Sequence, residues 1–294
     1  MRVSLSELAE VKGIGKKTLN RVRKHKLGKE DYISEYDKDL HLHKNTLYKG
    51  DCLELMNGIP DKSIDMILAD LPYGTTQCSW DSIIDLDILW MQYRRVIKDN
   101  GAIVLTASEP FTSKLIMSNL QMFKYCWIWD KRNPSNFFAA KFQPLNNTED
   151  IIVFSKGGCN NGTNNPMKYN PQGVKTINKV RKNSKSVGGQ VGDAHSTSME
   201  RGGYYKQEKT GYPKKTLSFP LKNKGLHPTQ KPVKLFEYLI KTYTDEGDLV
   251  LDNVAGSGTT AVACIRTNRN YICIEKDEEY YKKSINRIDK LEES

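Results

Sequence analysis

Ile64-Asp65-Met66-Ile67-Leu68-Ala69-Asp70-Leu71-Pro72-Tyr73-Gly74 is the stretch on which the reading of this 294-residue chain turns. Its first six residues form a short apolar run that predicts a buried strand. An acid, a proline and an aromatic then leave the carboxyl end together, and in open α/β sheets that edge is where ligands bind. A carboxylate there can accept a hydrogen bond from an amine, and a tyrosine ring can stack on a planar group. Pro72 fixes its own φ and offers no competing amide donor. Alone, the same residues also fit a strand that ends in an ordinary proline turn, so the rest of the chain decides.

Outward from this strand the pattern is α/β. Apolar runs predict strands at 46–50, 64–70, 102–107, 125–130, 150–155, 249–254 and 270–275, with helical stretches near 82–98, 111–120, 232–244, 258–267 and 278–291. Strands that alternate with helices predict a doubly wound, mostly parallel sheet. Residues 156–226 break the rhythm. From Lys156 to Lys224 there are 14 Lys or Arg against three acids, with Tyr169, Tyr204, Tyr205 and Tyr212 interleaved. A long stretch without secondary structure is uncommon in a compact domain unless it is functional. A basic, glycine-rich insertion with tyrosines fits a nucleic-acid contact region, parts of which are expected to be disordered without a partner.

Charge points the same way. The chain carries 45 basic and 35 acidic residues, a net +10, which favours a polyanionic partner, with nucleic acid leading. Neither a transmembrane-length apolar run nor a signal-peptide pattern is present, so the expectation is a soluble, cytoplasmic protein. Six scattered cysteines without a C-x-x-C pair read as reduced thiols rather than disulfides or a metal site. Residues 1–28 read as a basic helical unit around Gly13-Ile14-Gly15, of helix-turn-helix or helix-hairpin-helix type. Either version binds DNA, the first in the major groove and the second along the backbone. Residues 29–45 read as a linker.

A second informative stretch is Leu249-Val250-Leu251-Asp252-Asn253-Val254-Ala255-Gly256-Ser257-Gly258-Thr259-Thr260-Ala261. A strand runs into a glycine turn and then a helix, so backbone amides can approach a ligand. No Gly-Lys-Ser/Thr follows, and only Gly256-x-Gly258 of a dinucleotide fingerprint is present. The next strand ends in Glu275, an acid placed to hold ribose hydroxyls. An adenosine-bearing ligand without a pyrophosphate, such as S-adenosylmethionine, suits this best.

With these pieces in place the chain resembles the DNA amino-methyltransferases in which the catalytic motif precedes the cofactor motif. The resemblance rests on Tyr48-Lys49-Gly50-Asp51, Ala69-Asp70-Leu71-Pro72-Tyr73-Gly74, Trp129-Asp130-Lys131, His227-Pro228-Thr229-Gln230-Lys231-Pro232 and Ala255-Gly256-Ser257-Gly258-Thr259-Thr260. It spans residues 46–291 and implies a Rossmann-like methyltransferase sheet. The catalytic half is 46–155, the target-recognition insertion 156–226, and the cofactor half 227–294. It further implies adenine-N6 methylation of a base flipped from duplex DNA, with Asp70, Pro72 and Tyr73 as catalytic residues. Asp51, Asp70, Thr229, Lys231, Asp252, Ala255, Gly256, Ser257, Gly258, Thr259 and Glu275 would hold S-adenosylmethionine, with Thr229 and Lys231 at its carboxylate. Cytosine-N4 methylation and a DNA-binding relative without catalysis are the alternatives. The family also admits a homodimer and a cognate restriction nuclease, and the sequence decides neither. Leu71, Asn253 and Val254 depart from the family's usual residues.

Overall fold

In a computed structural model of the chain, the structure describes residues 42–74, 83–182, 204–221 and 230–292. The helical unit expected at 1–28, residues 29–41 of the expected 29–45 linker, and Thr229 lie outside these residues. Residues up to Asn170 together with those from Lys215 onward form one compact unit, and Pro171–Lys214 forms a second.

The first unit is built on an eight-stranded sheet. Its strands are β1 (Thr46–Lys49), β2 (Ile64–Ala69), β3 (Ile97–Ala107), β4 (Phe123–Ser135), β5 (Asn146–Ser155), β8 (Thr216–Ser218), β9 (Leu249–Asp252) and β10 (Asn270–Glu275), in the order β1-β10-β9-β2-β3-β5-β4-β8. Pairing is parallel from β1 through β3, antiparallel on both sides of β5, and parallel again between β4 and β8. All seven strands expected from the apolar runs are present.

β2 sits mid-sheet and is buried along its whole length, which explains its unbroken apolar sequence. Ile67 and Ala69 face one core layer with Leu89, Tyr93 and Phe111. Met66 and Leu68 face the other, with Leu235, Leu239 and Ala261. Helices α1 (Cys52–Leu55), α2 (Leu86–Val96) and α3 (Phe111–Ser118) contribute to the first layer, and α4 (Val233–Tyr243), α5 (Thr259–Arg266) and α6 (Glu278–Glu292) to the second. The sheet is therefore covered on both faces, as a doubly wound fold requires. Leu71 is 2% exposed and belongs to the first layer, so this departure from the family pattern adds core packing. Among the described residues no helix is long and apolar enough to cross a membrane.

Residues 156–226 are not structureless. β6 (Lys175–Lys182) and β7 (Tyr204–Thr210) form an antiparallel pair in the second unit, and β8 joins the main sheet beside β4. β6 and β7 carry too many exposed cations for the apolar pattern to reveal them, and β8 is only three residues long.

Candidate active site

Four adjacent parallel strands deliver an acid each to one edge. In sheet order these are Asp51 just past β1, Glu275 ending β10, Asp252 ending β9 and Asp70 just past β2. All four line a single cleft of about 820 Å³, within the size range of small-molecule sites. Strands lie about 4.8 Å apart, so the four tips span about 14 Å. That is room for an extended nucleoside with an amino-acid arm.

The glycine turn closes one side. Gly256 (φ 52°) and Gly258 (φ 71°) both adopt left-handed backbone, which a Cβ would strain. Gly256 N–H donates to Glu275 Oε2 and Asp277 N–H to Oε1, each at 2.7 Å. Burial pushes the Glu275 carboxyl up, and these two amides hold it back. A carboxylate has about four lone-pair sites, so roughly two remain for ligand hydroxyls. From behind, α6 clamps the turn: Ser284 Oγ donates to Gly256 O and Arg287 Nη1 to Ser257 O, both at 2.7 Å. Asp51 accepts from Leu53 N–H at 3.0 Å, capping α1, and pairs with Lys276 at 3.1 Å.

Asp252 is 3% exposed and accepts from Val254 N–H at 3.1 Å and from the Thr260 hydroxyl. Burial pushes its carboxyl up to about 7. An acid raised by folding binds its proton more tightly in the native state, so folding stability grows as pH falls through about 7 toward the ordinary value near 4. Asp252→Asn should remove that component. The melting temperature of the wild type relative to the variant should then rise between pH 8 and pH 5; a difference independent of pH would contradict the assignment.

Asp70 anchors the other side. Its Oδ1 accepts from the Tyr73 hydroxyl at 2.9 Å and from the Thr106 hydroxyl. Its Oδ2 pairs with Lys231 Nζ at 2.8 Å. Three partners leave about one of the carboxylate's four lone-pair sites open, and the side chain keeps 25% exposure toward the cleft. Lys231, 6% exposed, also lies 3.1 Å from Glu149 Oε2, an ion-pair distance without hydrogen-bond alignment. Glu149 Oε1 in turn pairs with Lys131 at 2.9 Å. Burial alone would draw the Lys231 pKa down; the negative charges of Asp70 and Glu149, with the hydrogen bond to Asp70, outweigh it and hold the ammonium well above its usual value. Tyr73 stacks on Phe111 with ring centroids 5.4 Å apart. Burial, then the Asp70 charge, push its phenol well up, so it stays a neutral donor.

The DNA methylase family of N6/N4 type matches residues 64–286, from the Asp70 strand to α6. The chain belongs to this family. This DNA methylase is 28% identical over 286 residues to the type II methyltransferase M2.MboI of Moraxella bovis, covering 88% of this chain and 91% of that protein. It is 27% identical over 271 residues to the DNA adenine methyltransferase YhdJ of Escherichia coli strain K12, covering 83% of this chain and 82% of that protein. The crystal structure of M1.HpyAVI with S-adenosylmethionine matches with a TM-score of 0.54 at 23% identity, over 83% of this chain and 98% of that one. That likeness supports the Rossmann-like fold.

Of the residues expected from the methylase motifs, Asp51, Asp70, Pro72, Tyr73, Lys231, Asp252, Ala255, Gly256, Ser257, Thr259 and Glu275 all line the cleft. Gly258 stands just behind as the N-cap of α5, where a Cβ would meet Ser284 Cβ at 3.2 Å. Lys231, expected at a ligand carboxylate, pairs with Asp70 and Glu149. Sequence reasoning missed Thr106, Phe111 and Glu149 as site residues. Lys131 was quoted in a motif without a role. Asn253, where the family usually has proline, is 1% exposed; it accepts from the Tyr93 hydroxyl at 2.6 Å and faces Cys52 Sγ at 3.5 Å. Its polar side chain is therefore paired.

Proposed function

We propose that this DNA methylase transfers a methyl group from S-adenosylmethionine to the exocyclic N6 of an adenine flipped out of duplex DNA. The observation that carries the reading is Asp70. It is a carboxylate with three protein partners and one open lone-pair site, set at the tip of β2 beside the glycine turn. The adenine amine is a poor nucleophile because its lone pair is delocalised into the ring. Asp70 accepts one amine hydrogen and the Leu71 carbonyl is positioned by sequence to accept the other, so the nitrogen rehybridises and its lone pair turns toward the methyl carbon. Held in line by Tyr73 and the cleft walls, the nitrogen bonds to the methyl carbon as the carbon–sulfur bond breaks. S-adenosylhomocysteine leaves as a neutral thioether, the amine proton passes by way of Asp70 to water, and positioning supplies most of the rate.

S-adenosylmethionine supplies the electrophilic methyl. The residues present fit it: Glu275 keeps lone pairs that would take ribose hydroxyls, Asp51 would take the adenosine end, and the Gly256–Gly258 turn would hold the amino-acid arm. Acidic side chains outnumber lysines in the lining of the cleft, a balance that favours a cationic sulfonium.

An acid at position 70 favours adenine, since cytosine-N4 members more often carry Ser or Thr there. The adenine-specific name of the relative in Escherichia coli supports the same choice. Cytosine-N4 methylation remains the second reading. The basic 156–226 segment would read the target sequence. Within it, the hairpin β6–β7 exposes Lys175, Lys179, Arg181, Lys182, Lys206 and Lys209. Residues 1–28 would add a second DNA contact. The type II name of the Moraxella relative favours a role in the cytoplasm beside a cognate restriction nuclease, with a homodimer as the assembly to test. Expression in a host lacking DNA methylation tests the reading. Genomic DNA should carry N6-methyladenine within one sequence motif; modified cytosine would select the second reading.

A further inference from the structure

The hairpin of β4 and β5 overshoots the rest of the sheet. β3 ends at Ala107, paired with Asp150, whereas β5 begins at Asn146 and β4 continues to Ser135, which pairs with Asn146. The overshoot is on the edge that carries Asp70, because β3 is parallel to β2 and ends beside it. Its root lines the cleft through Trp129, Lys131 and Glu149. Strands rise about 3.3 Å per residue, so Asn146, three residues from Glu149, stands about 10 Å beyond the cleft, with the loop tip further out.

That tip is Asn136-Phe137-Phe138-Ala139-Ala140-Lys141-Phe142-Gln143. Phe137, Phe138 and Phe142 are 64%, 99% and 89% exposed, an unusual concentration of aromatic surface on a single loop. The loop is ordered by its own backbone. Asn136 takes φ 68°, a 3-10 turn follows at Phe137–Ala139, and Phe142 and Gln143 N–H donate to Ala139 O at 2.8 and 2.9 Å. Its root is tied as well: Asp130 accepts from Arg132 N–H at 2.9 Å, and Arg132 Nε donates to Ser218 of β8 at 3.0 Å. No acidic residue occurs between Lys131 and Thr148, and Arg132 and Lys141 are exposed.

We propose that this tip, led by Phe138, enters the target duplex and fills the place in the base stack that the extruded base leaves. A base inside a duplex cannot reach Asp70 without unstacking, and apolar side chains driven between base steps lower the cost of that opening. The surface is cationic and aromatic, complementary to phosphates and to base faces. It stands about 10 Å or more beyond the cleft that would receive the base. The inference rests on DNA methylation through a flipped base and holds for either target base.

The test uses the full chain and a duplex carrying the site that the wild type methylates, located by sequencing modified DNA. A second duplex places a mismatch opposite the target, so that the base is already unpaired. Phe138→Ala should lower transfer on the paired duplex by about tenfold or more, since base–aromatic stacking is a major contributor to such contacts. On the mismatched duplex it should stay within about threefold, because opening is already done. Phe138→Trp, which keeps an aromatic wedge, should stay near wild type on both, and cofactor binding by calorimetry should not move. Equal rates of Phe138→Ala and wild type on the paired duplex would overturn the proposal. So would an equal loss on both duplexes, or a fall in oligomeric state by light scattering, which would place the patch between copies of this chain. Absence of DNA transfer by the wild type would defeat the underlying reading as well, and is seen before any variant is made.

Discussion

Asp70→Ala is expected to lower methyl transfer by at least about a thousandfold while cofactor affinity stays within a few-fold. Positioned hydrogen-bond and proton-transfer groups typically supply a hundred- to ten-thousandfold. In the proposed reading Asp70, at the tip of its strand, takes the base, whereas Glu275 and the glycine turn across the same cleft take the cofactor. Removal of the carboxylate also leaves the Thr106 and Tyr73 hydroxyls and Lys231 without their shared acceptor. Some loss of stability therefore accompanies the loss of rate, and a melting curve must be run beside the kinetics. Single-turnover transfer and calorimetric titration of S-adenosylmethionine separate the two effects. Near-normal turnover would show that the amine hydrogen goes elsewhere.

Lys231→Met should be the more damaging change to the fold. The ammonium is 6% exposed and faces Asp70 and Glu149 together. Its loss leaves two carboxylates in a poorly solvated place with only Lys131 to compensate Glu149. Breaking a buried pair commonly costs about 3–5 kcal/mol. The lower end applies here because Asp70 keeps 25% exposure and can recover water. Urea unfolding should show that loss, and Lys231→Met combined with Glu149→Gln should recover part of it, since the two sites share one network. A variant within about 0.5 kcal/mol of wild type, the range of ordinary surface changes, would mean the network contributes little. Transfer should fall as well, because the open lone-pair site of Asp70 lies on Oδ2, the oxygen that Lys231 holds in place.

The parts of this site that could be read from the sequence are those made by consecutive residues. Strand, acid, proline and tyrosine follow one another in 64–73, and strand, glycine turn and helix in 249–266, so local chemistry sufficed for both. Thr106 and Glu149 could not be found that way. Thr106 meets Asp70 only because Ala69 pairs with Leu105, and Glu149 meets the site only because it lies opposite Trp129. Cross-strand register is a tertiary fact that no local pattern encodes. The same limit shortened β4 and β5: the strand extensions 131–135 and 146–149 are polar and the first holds Pro134, so their alternation is lost although the strands continue through Ser135 and from Asn146. The cationic β6–β7 pair was hidden for a similar reason. Departures at Leu71 and Asn253 raised doubt in the sequence that the structure answers physically, since one is packed in the core and the other is hydrogen-bonded.

The central claim is that Asp70 directs a methyl group to the amine of adenine in duplex DNA. The most direct test incubates the purified protein with methyl-labelled S-adenosylmethionine and unmodified duplex DNA of mixed sequence, then digests the DNA to nucleosides and identifies the labelled one. The account predicts label in N6-methyldeoxyadenosine from the wild type and none from Asp70→Ala. Label in N4-methyldeoxycytidine would contradict the choice of base, and equal label from wild type and Asp70→Ala would contradict the role of Asp70.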